Sequence, residues 1–253
     1  MKKYSWLFLA TMLILSWATP ASAFEIGARA LYWFPGFKAD MKSDSAGVVG
    51  SSLNLKDNLG VGNEAFPTFE AFGGLGKHRL TLGYTPIKYS GSTTLNSAVN
   101  FNGQTFTAGS RVDTDLKLRM LDLEYQYTFL DLENILAGFS LGAIGQIKYL
   151  DGEAKMSAPG KQADFTSRLA IPMVGLGAHA SILAGILEAR AKIAGIGYSS
   201  NYLYEALADL SWTPFPFLDI HGGYKLIRVK LDRSDDYLDA QFAGPYVGLT
   251  VSF

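Results

Sequence analysis

The chain has 253 residues, with 22 basic and 23 acidic side chains, 48% hydrophobic residues and no cysteine. Without cysteine there are no disulfide staples and no thiolate metal sites, and a near-neutral balance with no basic stripe leaves nothing to hold nucleic acid. The mean hydropathy of +0.12 arises without any run of about 18 apolar residues beyond the N-terminus, which excludes a helical membrane span there.

Lys2 and Lys3 precede an apolar run from Trp6 to Ala18, and Ala21-Ser22-Ala23 forms a small-x-small cleavage site. This is the pattern of a secretory signal peptide, and the run is too short to span a bilayer. The expected division is residues 1–23 as a cleaved signal and residues 24–253 as the mature domain. The 22 basic residues less Lys2 and Lys3, set against 23 acidic ones, leave the mature domain a formal charge of −3. In lipid only helices and closed barrels satisfy every backbone polar group, so a weakly hydrophobic chain without a spanning helix points to an all-β barrel.

Alternation follows at once. In the first strand, residues 24–34, Phe24, Ile26, Ala28, Ala30 and Tyr32 share one face and Glu25, Gly27, Arg29 and Trp33 the other. A long connection comes next, with Leu53 to Gly60 as one helical turn, a folded lid or a disordered loop. Strands are expected at residues 65–75 and 79–95, and two long strands flank the hairpin dipeptide Asn102-Gly103. Further strands are expected at residues 135–150, 165–183, 187–199, 204–213, 218–232 and 241–253. The short connections at residues 76–78, 131–134, 184–186 and 214–217 alternate with longer ones, the asymmetry of a membrane barrel with periplasmic turns and outer loops. Both termini then lie in the periplasm and the strand number is even. Ten strands fit best, and eight or twelve remain open.

Aromatic residues near strand ends, namely Tyr32, Trp33, Phe34, Phe66, Phe69, Tyr125, Tyr127, Phe129, Trp212, Phe215 and Phe217, are expected to form the two interfacial girdles.

The fourth strand carries Asp113, Asp115, Lys117 and Arg119 on one face, with Thr114, Leu116, Leu118 and Met120 on the other. Beyond Met120-Leu121 the polar parity switches to Asp122, Glu124, Gln126 and Thr128, which suggests a β-bulge, and Leu226-Ile227 suggests a second. With both slips the expected lumen network is Glu25, Arg29, Glu70, Asp113, Asp115, Lys117, Arg119, Glu124, Glu188, Arg190, Lys192, Asp209 and Lys225, with Arg79, Lys148 and Glu205 also inward. A barrel of about ten strands is narrow enough for side chains to fill. An ion-paired filling or a narrow polar conduit both fit this set.

Catalytic constellations are weak. His78, His179 and His221 all fall on the periplasmic side. His179-Ala180-Ser181 has the His-x-Ser spacing of outer-membrane lipid A deacylases, yet at the opposite end of the barrel from where those act. Asp232, Asp235, Asp236 and Asp239 crowd the last outer loop without a histidine, unlike omptin-type surface proteases. That cluster has hard oxygen ligands suited to calcium or magnesium, but is more simply a solvated loop. No metal site or cofactor is expected, and no phosphate loop, HExxH or GxSxG occurs.

The chain ends on Tyr246-Val247-Gly248-Leu249-Thr250-Val251-Ser252-Phe253. Val247, Leu249, Val251 and the terminal Phe253 share one face, and this ending resembles the assembly signal of small Gram-negative outer-membrane β-barrels. The resemblance covers the whole mature chain and rests on signal, alternation, loop asymmetry and Phe253. It implies an antiparallel up-and-down barrel in the outer membrane. Its surroundings would be outer-membrane lipid and lipopolysaccharide, and the barrel-assembly machinery would deliver it. A structural or narrow-channel role for small solutes follows, with a surface hydrolase acting on lipid A or peptide as the alternative.

Overall fold

The computed structural model describes residues 24–43, 53–54, 56, 59–132, 138–182, 186–232 and 236–253. The expected signal peptide, and parts of the first loop, of two periplasmic turns and of the last outer loop, lie outside these residues. The strands are β1 (Phe24–Trp33), β2 (Gly36–Ser43), β3 (Leu53–Asn54), β4 (Phe66–Leu75), β5 (His78–Thr94), β6 (Val99–Phe101), β7 (Gln104–Phe106), β8 (Arg111–Leu132), β9 (Phe139–Ala158), β10 (Lys161–Ile182), β11 (Leu187–Tyr198), β12 (Asn201–Phe215), β13 (Leu218–Asp232) and β14 (Asp236–Ser252).

β1 and β2 form one wall strand. Both run antiparallel to β14, first from Gly27 opposite Ser252 to Trp33 opposite Tyr246, then from Gly36 opposite Ala243 to Ser43 opposite Asp236. Pro35, which has no N–H to give the ladder, interrupts them. With β4, β5 and β8 to β14 this makes ten wall strands, and the pairing of β1 with β14 closes the sheet so that no strand edge faces lipid at its base. The chain is thus an all-β, antiparallel, ten-stranded closed barrel. The first and last strands close it as expected.

Several strands are longer than a membrane requires. β8 and β10 have 22 residues each, against roughly 9–11 for a tilted spanning strand. At about 3.3 Å per residue and a tilt near 40°, such strands rise roughly 55 Å, about twice the apolar band of an outer-membrane barrel. The upper half of the wall therefore stands in water.

That height explains the polarity of β8 and corrects the two expected bulges. The register of β8 against both neighbours runs unbroken through Met120 and Leu121, and that of β13 runs unbroken through Leu226 and Ile227. Parity is constant while the surroundings change. Leu121, Leu123, Tyr125, Tyr127 and Phe129 face lipid, with Asp122, Glu124 and Gln126 inside. Higher up, Asp113, Asp115, Lys117 and Arg119 face water, with Leu116, Leu118 and Met120 inside. Register shifts do occur, at Thr128/Leu130 and at Trp212/Phe215, both near the periplasmic turns.

Trp33 and Phe66 also depart from expectation. Both point inward and are buried, whereas Tyr32, Phe34, Phe69, Trp212, Phe215 and Phe217 are exposed on the outer wall. Asn102-Gly103 does turn the chain, with φ of 45° and 79°, but it closes the small hairpin β6–β7 inside an outer loop. The long strands on either side pair further down, from Thr94 opposite Arg111. The connections at residues 159–160 and 199–200 are tight turns too, so the long outer connections lie early in the chain.

Between β10 and β11 the ladder covers only Val174–Ile182 of β10. Above it, Lys161–Met173 has no pairing strand on that side among the described residues. Pro172 marks the parting of the two strands, and the wall dips at the Tyr198–Asn201 turn.

Candidate functional site

Three layers fill the barrel from the periplasmic end upward. The lowest is a polar cavity of about 410 Å³. Inward parity brings Glu25, Arg29, Glu70 and Arg79 to one side of it. Arg29 Nη1 donates to Glu70 Oε2 at 2.6 Å and its Nε to Thr250 Oγ1 at 2.9 Å, while Arg79 Nη1 reaches Glu25 Oε2 at 2.9 Å. The Phe72 ring lies between the two guanidinium groups, at 5.5 and 4.1 Å from its centroid. Opposite, Asp209 accepts from Arg190 Nη2 at 2.7 Å and from the Tyr246 hydroxyl at 2.5 Å, and lies 3.1 Å from His221 Nδ1.

The second layer is the waist. Lys148 on β9 has 0% of its side chain exposed and pairs at once with Asp122 on β8 and with Glu205 Oε2 on β12, the latter at 2.9 Å. Lys192 on β11 joins Glu205 Oε1 at 2.8 Å to Glu124 at 2.6 Å. Lys148–Asp122 and Lys192–Glu205 join neighbouring strands, whereas Lys148–Glu205 and Lys192–Glu124 cross the lumen between strands that are not neighbours in the sheet. Lys225 sits 5.3 Å from the centroid of Trp33. The Trp33 indole N–H donates to the Gly244 carbonyl at 3.2 Å, and the Phe34 and Pro35 backbone packs so close to Gly244 that it leaves no room for a Cβ there. Trp33, Met120, Leu203 and Ile227 are all buried just above the charges. A buried charge without partners is costly, so the mixed signs of the inward set hold one another in place.

The third layer is an apolar cup above the lipid, with a cavity of about 230 Å³ lined by Phe37, Tyr89, Leu116, Leu150, Phe165 and Phe242 among others. Phe37 stacks on Tyr89 at 4.5 Å between centroids, and Phe66 meets Tyr89 edge-on at 5.1 Å. The Tyr89 hydroxyl is buried and has no hydrogen-bond partner among the described residues, and burial raises its pKa above the ordinary tyrosine value. Towards the outer end, Leu59, Val61, Val99, Phe101 and Phe106 from the loops cover the inward side chains of Val112, Met156 and Ala163.

The structure therefore places Glu25, Arg29, Glu70, Glu124, Glu188, Arg190, Lys192 and Lys225 around the lower lumen and waist, with Asp209 held behind Arg190 and His221. Asp113, Asp115, Lys117 and Arg119 stand on the outer wall instead, which corrects their assignment to the lumen. They form a cross-strand ladder with β9, in which Lys117 pairs with Glu153 at 3.8 Å and Arg119 with Asp151 at 3.4 Å. At that height water lies outside and the apolar residues fold inward, so the polar face is the outer one. Asp122 joins the ion-paired set through Lys148, and the Tyr246 hydroxyl adds a hydrogen bond to Asp209. The cup was hidden in the same pattern, since an unbroken parity with reversed polarity marks a wall leaving the membrane.

His179 Nε2 lies 3.2 Å from Glu188 near the periplasmic rim, with Ser181 on the same face. The chain's three histidines all lie in the lower half of the barrel. In the last outer loop Asp235 is outside the described residues, and Asp239 pairs with Arg228 at 3.4 Å. No group of His, Cys, Asp and Glu suited to a metal occurs among the described residues.

No protein-family model matches the chain, and no curated protein sequence does. Solved structures do. The outer membrane protease OmpT from Escherichia coli is similar with a TM-score of 0.58 at 12% identity, over 93% of this chain and 100% of that one. The translocator domain of the autotransporter NalP from Neisseria meningitidis gives 0.41 at 9% identity, over 98% and 95%. Neisserial surface protein A gives 0.34 at 14% identity, over 93% and 100%. At such identities the OmpT likeness speaks for fold alone, and the other two scores are too low to carry more. With a lipid-facing band below, a charged wall above and ion pairs across its waist, the chain has the fold of the small β-barrels of the Gram-negative outer membrane, here with ten wall strands.

Proposed function

We propose that the protein is a structural barrel whose waist is closed to ions and solutes and which holds a folded, water-exposed rim above the outer leaflet. The supporting observation is Lys148, wholly buried between Asp122 and Glu205 beneath Trp33 and Met120. A conducting lumen keeps water around its charges, whereas these are spent on one another. The same reading has residues 1–23 directing export and being removed. The strand ending at Phe253 is then recognised by the barrel-assembly machinery, and lipopolysaccharide surrounds the lipid-facing wall.

Surface hydrolysis has less support. His179 and His221 lie below the waist, far from the outer leaflet and from any substrate at the rim, and each is held by a lumen carboxylate.

Planar bilayer recording on protein purified from outer membranes tests the closed waist. The expected result is a silent membrane, with openings appearing in Glu205→Ala, which removes the acceptor shared by Lys148 and Lys192. Frequent discrete openings of the unaltered protein would establish a conduit and overturn the closed reading.

A further inference from the structure

Climbing the outer face of the wall, the first polar side chain above the lipid-facing ones is charged on six strands: Lys38 on β2, Lys88 on β5, Arg119 on β8, Asp151 on β9, Arg168 on β10 and Arg228 on β13. Uncharged Tyr204 and Gln241 hold that place on β12 and β14. Five of the six charges are cations, and Asp151 is shared by two of them, Arg119 at 3.4 Å and Arg168 at 3.3 Å. The barrel thus carries a basic belt where it leaves the lipid, whereas the next step up mixes both signs, as in Lys117, Glu153, Lys230 and Asp239.

The belt is densest between β5 and β8. Lys88 lies directly opposite Lys117, and Arg119, one step lower on the same face of β8, lies diagonal to Lys88. Like charges placed directly opposite repel one another unless an anion lies against both. Lys88 makes no hydrogen bond or ion pair among the described residues. Lys117 reaches Glu153 only at 3.8 Å and stays 52% exposed, and Arg119 stays 61% exposed. Such long, exposed pairs hold their cations weakly. Higher up, Asp115 stands opposite Lys155, and the two cancel. Lys88, Lys117, Arg119 and Arg168, set against Asp151 and Glu153, therefore leave two positive charges unmatched. A phosphate monoester matches them, with a charge of roughly −2 near neutral pH.

Height selects the source of that phosphate. Tyr84 and Leu121 lie opposite one another, exposed on the lipid face one step below the Pro86–Arg119 pair. At about 3.3 Å per residue and a tilt near 40°, Arg119 stands roughly 5 Å and the Lys88–Lys117 pair roughly 10 Å above them. Long cationic side chains at that height reach the wet headgroup layer of the outer leaflet. We propose that the outer wall of β5 and β8 binds a phosphomonoester lipid of that leaflet, its phosphate held by Lys88, Lys117 and Arg119 and its chain lying on Tyr84 and Leu121. The inference rests on the rim standing above the outer leaflet and does not depend on whether the waist conducts.

Native mass spectrometry of the barrel in a neutral detergent, titrated with phosphatidic acid, phosphatidylglycerol or phosphatidylcholine, counts the lipid retained. Phosphatidic acid is expected to bind about fivefold more tightly than phosphatidylglycerol, whose phosphodiester carries a single charge, and phosphatidylcholine to stay at background. Lys88→Gln and Arg119→Gln should each lower phosphatidic acid affinity about fivefold, the worth of one basic side chain beside an anionic headgroup. Lys88→Arg should preserve it. Lys230→Gln, which changes the net charge equally but lies on β13 across the barrel, should leave it unchanged. Inorganic phosphate in tenfold excess should not displace the lipid, which is also held by its chain. These side chains lie on the outer wall, and heat-modifiability shows that each variant is folded. Equal retention of phosphatidic acid and phosphatidylglycerol, unchanged affinity in both Lys88→Gln and Arg119→Gln, an equal loss in Lys230→Gln, or displacement by inorganic phosphate would each overturn the site. If any of these occurs while Lys117→Cys still reacts with an impermeant maleimide on intact cells, the site fails and the height of the rim stands.

Discussion

Lys148 on β9 and Glu205 on β12 meet across the lumen at 2.9 Å, although two strands separate them along the wall. Glu205 also holds Lys192, and Lys148 also holds Asp122, so the waist is a chain of shared charges. Removing one member of such a set leaves the remaining buried charges out of balance by one.

Glu205→Leu is therefore expected to destabilise the barrel by about 3–5 kcal/mol, and the double variant Lys148→Met/Glu205→Met by clearly less than Glu205→Leu alone. Urea unfolding in phospholipid vesicles measures both. A single variant as stable as the unaltered protein would mean that water reaches these charges.

The absence of cysteine permits a clean test of where the wall leaves the lipid. Lys117→Cys and Arg119→Cys, whose native side chains are 52% and 61% exposed, should react with a membrane-impermeant maleimide on intact cells. Met120→Cys and Tyr125→Cys should not, the first being inside the waist and the second in lipid. Labelling at Met120 with silence at Arg119 would restore the bulge that the unbroken register rules out.

The same boundary has an energetic signature. Leu123 is exposed on the lipid face, and Leu123→Arg should cost roughly 2–4 kcal/mol in a vesicle refolding equilibrium, the range for an arginine near the bilayer midplane. Arg119→Leu, two turns of the pleat higher, should change stability by no more than about 0.5 kcal/mol, as a surface substitution does. Similar costs at both positions would place the membrane edge elsewhere.

Closure, strand number and the facing of the final strand were legible because they depend on period two and on loop length alone. The polarity of a face was not, because it depends on height. Asp115 and Asp122 differ in parity yet each is polar for the same reason: Asp115 meets water outside the upper wall and Asp122 meets Lys148 inside the lower one. A rule that charges point inward holds only within the lipid band, and it failed on β8 and β13 where the wall rises out of it. The partners across the lumen, Glu205 for Lys148 and Glu124 for Lys192, were hidden for another cause. They are brought together by barrel curvature, which no local pattern records.

The terminal residue offers the last test. Phe253 exchanges two backbone hydrogen bonds with Ile26, at 2.9 and 3.0 Å, and stacks on Phe217 at 5.1 Å between centroids. The backbone bonds lie at the seam between β1 and β14, where the sheet closes, and the ring contact lies on the other side of β14, against the turn before β13. Deleting Phe253 removes the bonds and the ring, while Phe253→Ala keeps the backbone and loses the ring alone. If Phe253 acts chiefly as an assembly signal, both variants should lower the amount of heat-modifiable barrel in outer membranes severalfold and refold in vesicles almost as well as the unaltered chain. If it acts chiefly as the seam, deletion should impair refolding in vesicles and Phe253→Ala should not. Quantifying folded and unfolded bands from membranes and from refolding reactions separates the two, and unchanged amounts in both would remove any role for the terminal ring.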